Sequence, residues 1–182
     1  MRNFQLIASN IDVVPLLLAI NAQPELWNQN TIRQTYPDSP HSAVDDIWLR
    51  FNAFEEGEEL KVADDIECFN YPAFADLPAA RSLVMSLMAR VQGERLGRVL
   101  ITRLAPGETI PAHPDQGAPA TYYDRFHIVL QGLAGSLFRC GDEQVCMTTG
   151  QLWWLDNSIE HEVINNSADD RIHMIVDIKR LL

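Results

Sequence analysis

Residues 125–155 read RFHIVLQGLAGSLFRCGDEQVCMTTGQLWWL, and this stretch decides the expected fold. It contains four short segments that read as strands: Arg125–Leu130, in which polar and apolar residues alternate, followed by Ser136–Cys140, Glu143–Met147 and Gln151–Leu155. Alternation with a period of two indicates strands, and Gly141-Asp142 indicates a hairpin loop between the second and third of them. Short strands separated by turn residues at this spacing predict a sandwich or a barrel.

Two further segments that read as strands flank this stretch. Arg98–Leu104 leads into a turn at Pro106-Gly107, and Arg171–Ile178 closes the set. We therefore predict a mainly β fold with flanking helices, namely a double-stranded β-helix, or jelly roll, of the cupin-like kind.

The same alternation has a consequence for four polar side chains. Residues two apart on a strand point to the same face, so Arg125 shares a face with His127, and Arg171 shares a face with His173. Both pairs can therefore point into the barrel.

His113-Pro-Asp115 and His161 form the candidate metal site. A His-x-Asp element supplies one imidazole and one carboxylate, and a distant His completes three ligands on one face of a metal. Such an open set is typical of non-haem Fe(II) oxygenases, which need free positions for a bidentate cosubstrate and for O2. Arg171 follows His161 by ten residues, far enough for a strand to end and return, and an Arg there can bind a carboxylate bidentately.

Four motifs resemble, in order, those of the aspartyl/asparaginyl β-hydroxylase family of 2-oxoglutarate dioxygenases: Leu104–His113, Arg125–Leu130, Asp156–Val163 and Arg171–Asp177. The resemblance covers about residues 98 to 180. It implies a jelly roll and an Fe(II) centre with His113 and His161 as ligands, and it makes 2-oxoglutarate and O2 the expected cosubstrates.

The resemblance also assigns roles around the cosubstrate. It implies that Arg171 and Thr102 hold the distal carboxylate of 2-oxoglutarate, and that Arg125 and His127 lie near its metal-chelating end. At Asp115 the chain departs from the peptide-hydroxylating members, which lack a carboxylate there, and so looks like the more usual three-ligand oxygenase. The expected reaction is hydroxylation of an unactivated C–H bond of a small molecule or of an amino-acid or peptidyl side chain.

Two other classes of function remain open at this point. A cupin-like metal enzyme that does not use 2-oxoglutarate can use His113, Asp115 and His161, but it has no need of an inward-facing Arg171. A non-catalytic jelly-roll binding module needs neither the metal set nor a dry pocket. Fold alone does not decide among these classes.

The composition argues against a polyanion partner. The chain has 182 residues, 47% of them hydrophobic, which is enough to bury a core without disulfides. Its formal net charge is −11 with a pI near 4.7, and Lys and Arg form no cluster, so we expect no nucleic-acid partner.

Cysteine usage and hydropathy predict the compartment. Cys68, Cys140 and Cys146 are odd in number and lack metal-finger spacing, which favours free thiols in a reducing compartment. The longest apolar run, Val13–Ile20, is too short to span a bilayer and lacks the basic start of a signal peptide. We therefore expect a cytoplasmic protein with no membrane partner; the sequence does not indicate an oligomeric state.

We predict a single dioxygenase domain over residues 1–182, in which residues 96–182 form the jelly-roll core with the metal site. Residues 1–95 are expected to be a helical and loop-rich support that contributes to the mouth of the barrel. The predicted elements of this half are a helix from a cap at Asp12 to about Asn21, a strand over Ile47–Phe51, a solvated loop over Phe54–Glu59, and a helix over Pro78–Gln92.

Several side chains are candidates for substrate contact, each with a plainer alternative. His41 follows a rigid Ser39-Pro40 turn, and the alternative is a surface loop residue. Trp48 and Arg50 can line a pocket, or pack and solvate without contacting a substrate. His173 shares a face with Arg171, and the alternative is a buried His bonded to a backbone carbonyl.

The imidazole tautomers of the metal ligands need fixing by a second partner. Glu160 and Glu162, which flank His161, are the candidates that the sequence offers for this role.

Overall fold

The computed structural model describes residues 1–53 and 64–181. Within them the strands are β1 (Phe4–Ala8), β2 (Val44–Phe51), β3 (Phe69–Asn70), β4 (Gly93–Leu104), β5 (Thr109–His113), β6 (Asp124–Gln131), β7 (Ser136–Cys140), β8 (Glu143–Val145), β9 (Leu152–Leu155), β10 (His161–Asn165) and β11 (Arg171–Arg180). The solvated loop predicted over Phe54–Glu59 lies outside the described residues.

These strands form two antiparallel sheets. One has the order β1-β9-β6-β11-β4-β2-β3, and the other has the order β5-β10-β7-β8. The prediction of a mainly β, cupin-like jelly roll is confirmed.

The helices are α1 (Val14–Asn21), α2 (Ile32–Thr35), α3 (Ala73–Asp76), α4 (Pro78–Arg90) and α5 (Ala118–Tyr122), with a 3-10 helix over Pro24–Leu26. The predicted cap at Asp12 is wrong by one residue: the N-cap of α1 is Val13, and the Asp12 carboxylate accepts a hydrogen bond from the Val14 amide at 3.2 Å. The predicted helix over Pro78–Gln92 is present as α4, and its residues Val84 and Leu87 are buried in the core. No described helix combines the length and apolarity needed to cross a membrane.

The central strand β11 explains how the layers are arranged. Its residues Ile172, Met174, Val176 and Ile178 all belong to the larger apolar core, which α1 and α4 cover from outside the seven-stranded sheet. The intervening residues face the other side, where a second apolar cluster that includes Phe138 and Val163 fills the space against the four-stranded sheet. Alternation along one strand thus separates an apolar outer face from an inner face free to carry polar groups.

The N-terminal half contributes more than helices and loops. β1 pairs with β9, and β2 pairs with β4 over most of its length, so both strands are part of the large sheet. The strand predicted over Ile47–Phe51 is present and begins earlier, at Val44.

The β7–β8 hairpin has the predicted loop. Gly141 has a φ of +57°, a left-handed conformation that glycine adopts without the strain that a Cβ brings. Cys140 lies opposite Glu143, and Cys68, Cys140 and Cys146 are all free thiols, as predicted.

The packing of α4 predicts a large difference between two substitutions on the same helix. Leu87 is 2% exposed, whereas Met85 is 51% exposed. Leu87→Ala should lower the free energy of unfolding by about 2 to 5 kcal/mol, because it leaves a cavity. Met85→Ala should change it by about 0.5 kcal/mol or less.

Urea unfolding of the two variants measures this difference. Equal loss of stability would contradict the packing of α4 against the sheet.

Candidate active site

The pairing of β5 with β10 brings two distant histidines together. His113 ends β5 and His161 begins β10, and the register of the strands sets these two residues directly opposite each other. Their ring centroids are 4.6 Å apart. Asp115 follows two residues after His113, and the three candidate ligand atoms all lie within 4.8 Å of one another.

Backbone carbonyls orient both imidazoles. His113 Nδ1 lies 2.7 Å from the carbonyl oxygen of Pro111, and His161 Nδ1 lies 2.9 Å from that of Ile159. A carbonyl only accepts hydrogen bonds, so each Nδ1 carries the proton and each Nε2 keeps its lone pair. The expectation that Glu160 or Glu162 orients His161 is wrong: the partner is the Ile159 carbonyl, and Glu162 forms an ion pair with Arg139.

The Asp115 carboxylate is held by one oxygen and leaves the other for a metal. Its Oδ2 accepts hydrogen bonds from Arg125 and, at 3.1 Å, from the side-chain amide of Asn157. Its Oδ1 lies 3.9 Å from His113 Nε2. Burial is the largest single effect and raises the pKa of Asp115, but Arg125, His161, Asn157 and His113 together outweigh it, and the pKa lies well below the ordinary value. Asp115 is therefore an anion at neutral pH.

Arg125 connects Asp115 to the central strand. Its Nε and one terminal nitrogen bind the two oxygens of Asp177 on β11 at 2.8 and 3.0 Å, while the other terminal nitrogen binds Asp115. Burial lowers the pKa of Arg125, but the two carboxylates more than offset this effect and raise it. Arg125 is thus a fully paired cation that fixes Asp115 in place.

The donor set fits a divalent transition metal. His113 Nε2 is buried without a hydrogen-bond partner in the described part of the chain, as expected of an atom that binds a metal. Burial lowers the pKa of His161, so its ring is neutral and able to donate its lone pair. Two imidazoles and one carboxylate on one side of a metal suit Fe(II) and leave further positions open.

Arg171 lies in the same cavity as these ligands, beside Phe138 and Thr102. The side chain is 3% exposed, and its guanidinium carbon lies 5.4 Å from the centre of the Phe138 ring. Burial lowers the pKa of Arg171 to about 9, so it remains a cation at neutral pH. Among the described residues no carboxylate pairs with it.

His127 and His173 form a buried pair next to Arg171. Their rings are 5.5 Å apart, and the two Nδ1 atoms are 3.3 Å apart. Arg171 also lies 2.9 Å from His173 Nδ1. Burial, followed by the charge of Arg171, lowers the pKa of each histidine well below its ordinary value, so both are neutral. In the described part of the chain the partners of the His173 imidazole are Arg171 and His127, and not the backbone carbonyl of the plainer alternative.

The candidate substrate residues are divided between two places. His41 lines the cavity, and its ring centroid is 5.1 Å from that of His113. Trp48 packs instead against Phe51, with ring centroids 4.1 Å apart, and Arg50 donates to Asn70 at 2.8 Å. Neither Trp48 nor Arg50 lines the cavity.

Three residues of the site escaped prediction from the sequence. Asn157 and Asp177 belong to quoted motifs, and Asp177 shares the inward face of β11 with Arg171, so alternation was a usable signal for it. Arg33 lines the cavity and binds the buried Asp46 at 2.6 Å. Its sequence neighbourhood has no feature that distinguishes it from a solvated charge.

A jelly roll that carries two imidazoles and one carboxylate close together is the arrangement typical of non-haem iron oxygenases. The family model described as Aspartyl/Asparaginyl beta-hydroxylase matches residues 19–181. The chain therefore belongs to this family and is a hydroxylase.

Solved structures show the same fold. An oxidoreductase of the 2OG-Fe(II) oxygenase family from Burkholderia pseudomallei is 14% identical with a TM-score of 0.54, over 76% of this chain and 68% of that one. A prolyl-4-hydroxylase from Pseudomonas putida is 16% identical with a TM-score of 0.54, over 98% of this chain and 92% of that one. No curated protein sequence matches the chain.

We predict that metal binding depends on His161 and does not depend on the adjacent Glu162. His161→Ala should weaken Fe(II) binding by more than about 100-fold, because even partners behind the ligands account for about 10- to 100-fold. Glu162→Ala should leave it unchanged, since Glu162 bonds Arg139 rather than the imidazole.

Anaerobic equilibrium dialysis with Fe(II) measures both variants. Full iron occupancy in His161→Ala would exclude the metal set, and loss of iron in Glu162→Ala would exclude the assigned orienting bond.

Proposed function

We propose that this hydroxylase uses Fe(II), 2-oxoglutarate and O2 to hydroxylate an unactivated C–H bond of a small molecule or of an amino-acid or peptidyl side chain. One observation carries the cosubstrate: Arg171 is a buried cation in the cavity of the metal set, without a carboxylate partner in residues 1–53 and 64–181. A buried charge without a counter-ion costs several kcal/mol, and an anionic ligand offsets that cost when it binds.

In this proposal the two ends of 2-oxoglutarate bind two sets of residues that line the same cavity. His113, Asp115 and His161 would hold Fe(II), to which the 2-oxo acid end of the cosubstrate binds. Arg171 would bind the distal carboxylate with its planar fork, helped by the Thr102 hydroxyl. A ligand with only one acidic group cannot satisfy both ends.

When bound together, Fe(II) and 2-oxoglutarate supply the oxidising chemistry, in which the cosubstrate is converted to succinate and CO2 and one oxygen atom of O2 enters the substrate. The protein's part is orientation and exclusion of water. Arg125 and Asn157 hold one oxygen of Asp115, which leaves the other directed at the metal position. Phe138, Leu155 and Val163 give the cavity an apolar lining that keeps water away from the reacting groups.

Arg125 and His127 take different parts in this proposal. Both line the cavity near the metal set, where the chelating end of the cosubstrate would lie. Arg125 already binds two carboxylates, so it acts on the site mainly through Asp115. His127 is neutral and has a free Nε2 among the described residues.

The substrate would approach from the side of the cavity that carries His41 and Arg33. His41 Nδ1 is buried and has no partner in the described part of the chain. Ser39 holds these two residues together, since its hydroxyl donates to the Arg33 carbonyl and accepts from the His41 amide at 3.1 Å. A histidine and an arginine beside the metal set suit a substrate with polar groups next to the C–H bond that reacts.

Removing the Arg171 guanidinium should weaken cosubstrate binding. Charge-assisted hydrogen bonds contribute about 1.5 to 3 kcal/mol, and more when the partner charge is left unpaired. Arg171→Ala should therefore raise the dissociation constant of 2-oxoglutarate by about 10- to 1000-fold, at about 1.4 kcal/mol for each factor of ten. Arg171→Lys should recover only part of the loss, because it restores the charge without the fork.

The visible absorption of the anaerobic Fe(II)–2-oxoglutarate complex reports this binding. Arg139→Ala is the matched control, because Arg139 is an exposed arginine that pairs with Glu162. If iron-loaded Arg171→Ala binds 2-oxoglutarate with the affinity of wild type, the cosubstrate assignment fails. That result would favour a metal enzyme that does not use 2-oxoglutarate.

Substitution of His41 should separate substrate binding from cosubstrate binding. His41→Ala should lower substrate-stimulated succinate formation by about tenfold or more, in line with the loss of one buried hydrogen-bonding group. The affinity for 2-oxoglutarate should remain within about threefold of wild type.

The measurement is succinate formation with each of the standard amino acids and with cell extract. Arg50→Gln is the control, since Arg50 lies outside the cavity. Unchanged stimulation in His41→Ala would exclude the proposed substrate side.

A further inference from the structure

The buried cation Arg171 is oriented by a neutral group. Arg171 and His173 lie two residues apart on the inward face of β11, and both are almost fully buried. One terminal nitrogen of Arg171 lies 2.9 Å from His173 Nδ1. A guanidinium only donates hydrogen bonds, so His173 Nδ1 must be the acceptor.

This bond fixes the protons of two rings. With Nδ1 as an acceptor, neutral His173 carries its proton on Nε2. His127 Nδ1 lies 3.3 Å from the same His173 nitrogen, so it can bond there only as a donor. His127 therefore carries its proton on Nδ1, the opposite tautomer to His173.

Arg125 and Arg171 both face the cavity from the large sheet, but only Arg125 has carboxylate partners among the described residues. Arg125 is bound by the carboxylates of Asp115 and Asp177, which neutralise it. Arg171 is bound by an imidazole, which accepts a hydrogen bond and leaves the positive charge in place. A carboxylate at position 173 would hold the fork equally well, but it would compete with an incoming anion.

We propose that His173 is a positioning residue for the cosubstrate: its Nδ1 lone pair holds the Arg171 fork in place while keeping its charge available for the distal carboxylate. The role rests on the proposed use of 2-oxoglutarate at this site. His173 does not itself touch the cosubstrate in this scheme, and it acts through Arg171.

Three substitutions at His173 separate orientation from charge. His173→Asn keeps an acceptor oxygen close to the position of Nδ1, and its dissociation constant for 2-oxoglutarate should stay within about threefold of wild type. His173→Leu removes the acceptor and should raise the constant about tenfold. His173→Asp places a carboxylate against Arg171 and should raise it at least about 100-fold.

Oxalate is the matched control ligand, because it chelates a metal and has no distal carboxylate. Its affinity for the Fe(II)-loaded protein should be the same in wild type and in all three variants, which also checks that each variant is folded. If His173→Leu binds 2-oxoglutarate as wild type does, or loses oxalate and 2-oxoglutarate equally, the positioning role is wrong. If wild type itself fails to bind 2-oxoglutarate, the proposed function fails together with this role.

The tautomers give a second test that needs neither ligand nor metal. In nitrogen-15 spectra of the metal-free protein at neutral pH, His173 should carry its proton on Nε2, whereas His127 should carry its proton on Nδ1. The spectrum of His173→Asn identifies the signals of His173 by their loss. A proton on His173 Nδ1 in wild type would overturn the inference, whatever the binding data show.

Discussion

Alternation of side chains along β11 is the constraint on which the rest of the structure depends. This strand lies in the middle of the large sheet, between β6 and β4, so its two faces belong to two different environments. Its apolar residues complete the core under the helices, and its polar residues Arg171, His173 and Asp177 enter the space between the sheets. A one-residue slip of register would exchange the two sets, burying three polar groups in the apolar core and emptying the site.

The two buried arginines of the site differ in their partners and therefore in their roles. Arg125 joins Asp115 to Asp177, so a carboxylate on a loop is tied to a rigid strand and presents one oxygen toward the two imidazoles. Arg171 lies on the same sheet with only neutral groups around it among the described residues. Asp115 and Asp177 offset the desolvation cost of burying Arg125. The cost of burying Arg171 would be offset by binding of an anionic ligand. This difference between the arginines, more than the metal set, supports the proposal of an acidic cosubstrate.

The resemblance and the family model agree on the family, whereas several details of the site depend on packing. Prediction of the strands at residues 98–104, 125–130 and 171–178 is confirmed, because one apolar face makes a strand recognisable from its own sequence. The sequence predicted that Glu160 or Glu162 orients the His161 ring. In the structure the Ile159 carbonyl lies within hydrogen-bond distance of His161 Nδ1 and takes this role. Trp48 and Arg50 were candidates for the pocket because of their residue types. They lie elsewhere because β2 pairs with β4 in a register that packs Trp48 against Phe51 and directs Arg50 to Asn70.

By itself, the sequence determined the fold class, the family and the residues able to bind a metal, since these depend on periodicity and on residue types in a fixed order. Tertiary structure alone decided which of those residues meet. His113 and His161 are 48 residues apart in the chain and become neighbours only through the β5–β10 register, and Arg33 and His41 enter the cavity from a segment without recognisable motifs. Tertiary structure also decided which charges are paired. Arg125 is paired with two carboxylates and Arg171 with none among the described residues, and this depends on distances across the sheets that no local pattern of residues encodes.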